Sequence, residues 1–220
     1  MRITVTTRIL FSLLISLSVF FLTGFDLRSG DEVKRIVVFG DSITAGYGLD
    51  QEKAFPARIQ TKIDELGWNA DVVNAGVSGE TSAGGLRRAD WVLQREVDIF
   101  VLGLGGNDGL RGIDPDVTRD NLQKIMDKVR DQYPDARIIL AGMEAPPNMG
   151  DDYTMRFRQI FVELADVNDV TFMPFILEDV GGIPELNQSD GIHPTAEGHE
   201  IIADNLWELL KPVLEEIRNN

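Results

Sequence analysis

Only two histidines occur in the 220 residues, His193 and His199, so any chemistry that needs an imidazole must use one of them. His193 stands in Asp190-Gly191-Ile192-His193-Pro194. An aspartate three residues before a histidine in one short turn reaches the ring's Nδ1–H. That leaves Nε2 as a general base and stabilises the imidazolium once it forms. Such a base needs a nucleophile, and Ser42 sits in Gly40-Asp41-Ser42-Ile43-Thr44-Ala45-Gly46-Tyr47-Gly48. Two more glycine-rich segments, 74–81 with Gly79 and 103–109 with Asn107, offer backbone N–H groups and an uncharged amide. These are the donors a developing oxyanion needs. Read singly, each segment is first of all an ordinary turn, with Gly and Asn serving positive φ and Asp capping a helix. Asp41 is expected to hold its turn rather than act as an acid. His199, in Glu197-Gly198-His199-Glu200, is expected to face solvent.

Other chemistries lack their residues. There is no cysteine, which excludes disulfides, thiolate nucleophiles and cysteine zinc sites. The two histidines are six residues apart, wrong for the i, i+4 pairing of a helical metal site, and no metal or cofactor is expected. The loop at 40–48 lacks the lysine of a phosphate-cradling motif. With 21 basic and 36 acidic residues the formal charge is −15. Phosphate contacts need clustered Lys and Arg, so nucleic acid is not an expected partner.

The segments that must hold these residues alternate in character. Short apolar runs at 35–39, 70–74, 98–102, 136–140 and 170–173 have the β-branched content of strands buried on both faces. Between and after them, 54–66, 83–95, 117–132, 153–167 and 195–217 repeat apolar residues at helical spacing, with Pro212 placed to kink the last. Five strands separated by helices predict an α/β fold, a three-layer αβα sandwich with a five-stranded parallel sheet and right-handed crossovers. The serine, glycine and asparagine loops each follow a strand, and ligands of such sheets bind outside the carboxyl ends of the strands. No repeat or second folded domain is visible.

Taken together and in this order, Gly40-Asp41-Ser42, Gly79 within Val77-Ser78-Gly79-Glu80-Thr81, Gly105-Gly106-Asn107-Asp108 and Asp190-Gly191-Ile192-His193-Pro194 resemble the four blocks of the SGNH (GDSL) hydrolases. The resemblance covers the chain after residue 34. It is nearest the bacterial branch with thioesterase I/lysophospholipase and the arylesterases, through Asp41–Gly48, Gly105–Gly112 and Pro146-Pro147-Asn148. It implies a flavodoxin-like SGNH hydrolase fold. It also implies Ser42 as nucleophile, His193 as base and then acid, and Asp190 as its orienting partner. The Ser42 and Gly79 N–H groups and the Asn107 side chain would form the oxyanion hole. The implied substrates are short-to-medium acyl or aryl esters and thioesters, with lysophospholipids among them. A carbohydrate O-acetylesterase on the same triad, or a binding module without turnover, are the alternatives.

Two expectations concern regions outside the motifs. Loops 109–118 and 145–153 flank the site, and Leu110, Pro146 and Tyr153 are expected to line an apolar substrate groove. Residues 1–8 carry Arg2 and Arg8, and 9–25 are largely apolar. That reads as an export signal over 1–30, or a retained anchor through 9–25, ahead of a hydrolase domain at 31–220. The expected location is periplasmic or secreted, or held at the inner membrane if uncleaved. Removing 1–30, with three arginines and one aspartate, takes the formal charge from −15 to −17. A small-molecule ester is the expected partner of a monomer.

Overall fold

The computed structural model describes residues 33–219. The export or anchor expectation at 1–30 lies outside the described residues. Five parallel strands, β1 (Lys34–Gly40), β2 (Ala70–Gly76), β3 (Ile99–Gly103), β4 (Arg137–Ala141) and β5 (Thr171–Met173), form one sheet in the order β2-β1-β3-β4-β5. Every residue of β3, the central strand, is buried, and Ile36–Phe39 of β1 are at most 1% exposed. That explains why these runs are continuously apolar. The edge strand β2 is mostly only partly buried, with Asp71 and Asn74 exposed.

The helices are α1 (Ser42–Ala45), α2 (Phe55–Glu65), α3 (Ser82–Val92), α4 (Gly106–Leu110), α5 (Pro115–Gln132), α6 (Asp151–Asn168) and α7 (Ala196–Arg218). α2 packs beside α7, while α3, α5 and α6 pack side by side, as right-handed crossovers in this strand order require. Each long helix starts or packs for a readable reason. α5 opens on Asp114, whose carboxylate accepts the Asp116 N–H, with Pro115 in the first turn. α7 buries Ile202, Leu206, Leu210 and Leu214 at four-residue spacing. It runs on through Pro212 rather than ending there; the carbonyl that loses its donor belongs to Glu208, an exposed position.

The chain changes direction between β1, which leads to one edge, and β3, which leads to the other. A ligand of such an open sheet binds at the carboxyl ends of these two strands. Ser42 follows β1 by two residues and Asn107 follows β3 by four. Close approach is enforced here: a Cβ on Gly76, at the end of β2, would stand 2.3 Å from the Ala45 nitrogen. Among the described residues no helix is long and apolar enough to cross a membrane.

Candidate active site

Ser42 occupies the first position of α1, where the chain leaves β1. Asp41 makes that turn. Its Oδ1 accepts the Ile43 N–H at 3.0 Å, and its other oxygen accepts from Asn107 Nδ2 at 3.3 Å. Asp41 is 2% exposed, and burial lifts its carboxyl to about 6 against the opposing pull of those two hydrogen bonds. Asp41 is therefore a structural group, as its place in the turn suggested, and it also aims the asparagine amide. An amide nitrogen carries two hydrogens, so one remains for a ligand.

His193 Nε2 lies 2.9 Å from Ser42 Oγ, and its Nδ1 lies 2.7 Å from Asp190 Oδ2. The carboxylate fixes the ring proton on Nδ1 and leaves Nε2 to accept the serine proton. Asp190 Oδ1 accepts the Ile192 and His193 N–H groups at 2.9 and 3.0 Å. Those bonds, led by the His193 N–H, hold the Asp190 carboxyl down at about 2. The three-residue spacing works because Gly191, at φ +69, tightens the turn.

Gly79 lies in a turn closed by the Glu80 N–H on the Val77 carbonyl at 3.2 Å. Its φ of +77 is the value the third position of a type II turn demands, which is why the residue is glycine. Arg111 Nη2 donates to the Gly79 carbonyl at 2.9 Å. The structure thus brings Ser42, His193 and Asp190 into one hydrogen-bonded line, and sets Asn107 on Asp41 beside it.

A cleft of about 610 Å³ opens next to Ile43 and Gly106. Leu110, Met143, Pro146, Met149, Phe175, Leu177 and Ile192 give it apolar walls, and Glu144 is its one charged residue. Leu110 and Pro146 are where the sequence expectation put them. Tyr153 is not: its ring stacks on Phe157 at 5.8 Å and its hydroxyl donates to the Ile113 carbonyl at 2.7 Å. It braces the loop behind the cleft rather than lining it.

His199 departs further from expectation. It is 1% exposed, its ring lies 6.1 Å from that of Phe55, and its Nδ1 accepts the Phe55 N–H at 3.2 Å. Helix α2 has no side-chain cap of its own, and the imidazole supplies the missing acceptor from 144 residues away. Burial first, then the nearby His193 and Arg58, hold His199 down to about 4.

Two site residues escaped the sequence reading. Gln188 Nε2 donates to the Tyr47 carbonyl at 2.7 Å and the Pro194 carbonyl at 3.0 Å, tying the His193 turn to the segment after Ser42. Tyr47 packs its ring 4.5 Å from that of His193 while staying half exposed. Tyr47 could have been suspected from its place five residues after the serine; nothing local marks Gln188.

Comparison with known proteins agrees with this geometry. The sequence model of the GDSL-like lipase/acylhydrolase family matches residues 38–201. Esterase TesA of Pseudomonas aeruginosa is 39% identical over 180 residues, 81% of this chain and 89% of that protein. Thioesterase 1/protease 1/lysophospholipase L1 of Escherichia coli K12 is 37% identical, over 81% of this chain and 84% of its own. Among solved structures, the psychrotrophic esterase EstA from Pseudoalteromonas sp., inhibited by monoethylphosphonate, superposes with a TM-score of 0.78 at 33% identity, covering 83% of this chain and 99% of that one. With the family model spanning most of the chain and the same sheet beneath it, the protein belongs to the GDSL-like lipase/acylhydrolase family.

Proposed function

We propose that the protein is a serine esterase that cleaves short-to-medium acyl or aryl carboxylic esters and thioesters through an acyl-enzyme. One observation carries the reading: Ser42 Oγ, His193 and Asp190 in line at 2.9 and 2.7 Å. Ser42 Oγ attacks the ester carbonyl carbon as its proton passes to His193 Nε2. Asp190, ionised down to about pH 2, stabilises the imidazolium. The oxyanion takes hydrogen bonds from the Ser42 and Gly79 N–H groups and the free Asn107 amide hydrogen; loss of one such donor costs about 10²–10³ in kcat. His193 then protonates the leaving alcohol or thiol. Water, deprotonated by the same ring, attacks the acyl-serine and releases the acid.

The apolar cleft beside Ile43 supports hydrophobic acyl or aryl groups, lysophospholipids included, over acetylated sugars. The names of the relatives, esterase and thioesterase/lysophospholipase, support the same class. No step calls on a metal or cofactor. We propose further that it is exported, with the basic and apolar residues 1–30 as a signal or a retained membrane anchor, and that it acts as a monomer on a small-molecule ester.

Turnover of p-nitrophenyl acetate, butyrate, octanoate and palmitate tests the reading. Ser42→Ala and His193→Ala should each lose at least about 10³-fold in kcat with the fold intact. Wild-type turnover in both folded variants would refute it.

A further inference from the structure

Two of the three oxyanion donors named above, the Ser42 and Gly79 N–H groups, stand on separate loops, after β1 and after β2. Neither loop is bonded to the other through the donors themselves, so something else must hold their separation. Two side chains span the gap: Asn74 Nδ2, on β2, donates to the Thr44 carbonyl of α1 at 2.9 Å, and Arg88 reaches the residue after Gly79. Arg88, on α3, donates through Nη2 to the Gly40 carbonyl at 3.2 Å and to the Ala75 carbonyl at 2.8 Å. Gly40 is the last residue of β1, two before Ser42; Ala75 is the penultimate residue of β2. The same guanidinium forms an ion pair with Glu80, the residue after Gly79. Its carbon sits 3.9 Å above the ring of Phe39, a fully buried residue of β1.

We infer that Arg88 is a positioning residue for the oxyanion hole: one planar cation, paired with Glu80, sets the Gly79 turn against the end of β1 and so fixes the distance between the two backbone donors. The inference rests on the serine-esterase reading. The fork geometry is what the task needs. A guanidinium offers several N–H groups in one rigid plane, so carbonyls of two strands and a carboxylate are held at once, and its face packs on an aromatic ring. A lysine offers a single mobile point of charge. The Arg88 and Glu80 side chains are only 18% and 9% exposed, so solvent screens the pair little. The main-chain bond from Val77 N–H to the Gly40 carbonyl, at 3.0 Å, joins the loops at their base. Arg88 and Glu80 add the constraint nearer Gly79. Arg88 touches neither Ser42 nor His193, so it acts only through the backbone it holds.

The test separates positioning from mere stability. A trifluoromethyl ketone takes Ser42 Oγ onto its carbonyl carbon, the serine proton passes to His193, and an oxyanion is left in the hole. Its affinity therefore reports the donors directly. With kcat counted per phosphonate-titrated site, Arg88→Gln should lower kcat on p-nitrophenyl butyrate about 10–100-fold and weaken the ketone by a similar factor, with KM within about threefold. Arg88→Lys should fall between, and Glu80→Gln should shift both quantities in the same direction by less. If Arg88→Gln does not fold, Arg88→Lys and Glu80→Gln decide the matter. Unchanged kcat and ketone affinity per site, or a kcat loss with ketone affinity intact, overturns the inference. Ser42→Ala guards the underlying reading: turnover surviving in that variant refutes the esterase mechanism, whereas its loss beside a fully active Arg88→Gln refutes only the role of Arg88.

Discussion

The Phe55 N–H donates to His199 Nδ1 at 3.2 Å, so the second histidine of this protein is a buried helix cap and not a surface residue. The bond works only with a neutral ring. His199 stands six residues after His193, but its partner comes from 144 residues earlier in the chain, where α2 packs on α7.

Protonation of His199 therefore costs stability, and Asp41 opposes it. His199 takes its proton near 6.5 when unfolded and near 4 when folded, so stability falls as pH drops through that window. Asp41 runs the other way. Its folded value of about 6 exceeds the ordinary 3.8, so its contribution is present below 3.8 and lost as pH rises through 6. Each shift amounts to about 3 kcal/mol across its full range, and between pH 4.5 and 6 the two nearly cancel. Asp41→Asn removes one side of the balance. Urea melts should show that variant losing about 2 kcal/mol more than the wild type on going from pH 6 to 4.5. Parallel pH profiles for the two proteins would contradict the assignment.

Gln188 is expected to matter for rate more than for folding. Its amide holds the Tyr47 and Pro194 carbonyls, and with them the His193 ring against Ser42. Gln188→Ala removes two hydrogen bonds, a loss of about 1–2 kcal/mol in stability. A small displacement of the base costs far more in chemistry, so kcat should fall by about 10–100-fold. Active-site titration beside urea melts checks this. Wild-type kcat per titrated site in a destabilised protein would show that the bridge only supports the fold.

Acyl-chain preference should follow the apolar cleft. Leu110 lines it and is 45% exposed, so a larger side chain can be accommodated there without disturbing the core. Leu110→Trp should lower the octanoate-to-acetate ratio of kcat/KM for p-nitrophenyl esters about fivefold or more, since each buried methylene is worth about 0.8 kcal/mol. An unchanged ratio would move the acyl group to another surface. Tyr153→Phe, which loses the hydroxyl bonded to Ile113, should leave that ratio alone and lower stability by about 1 kcal/mol.

Much of this protein was legible in its sequence because the signals are short-range. The strand runs and helical spacings place all five strands and the five longer helices within a few residues, since periodicity reports burial directly. Asp190 and His193 could be paired because three residues in a turn suffice to join them. Gly79 was marked by its place in the block that resembles the family, and its φ of +77 explains why glycine stands there. Tertiary structure decided the rest. The strand order β2-β1-β3-β4-β5 puts the loops after β1 and β3 side by side, and no local pattern encodes that order. His199 reads as an exposed helical residue until Phe55 arrives from 144 positions away. Tyr153 could equally have faced the cleft; the Ile113 carbonyl turned it aside. Arg88 and Gln188 sit in no motif, because what they do is join backbone carbonyls, which every residue possesses and which no sequence can mark.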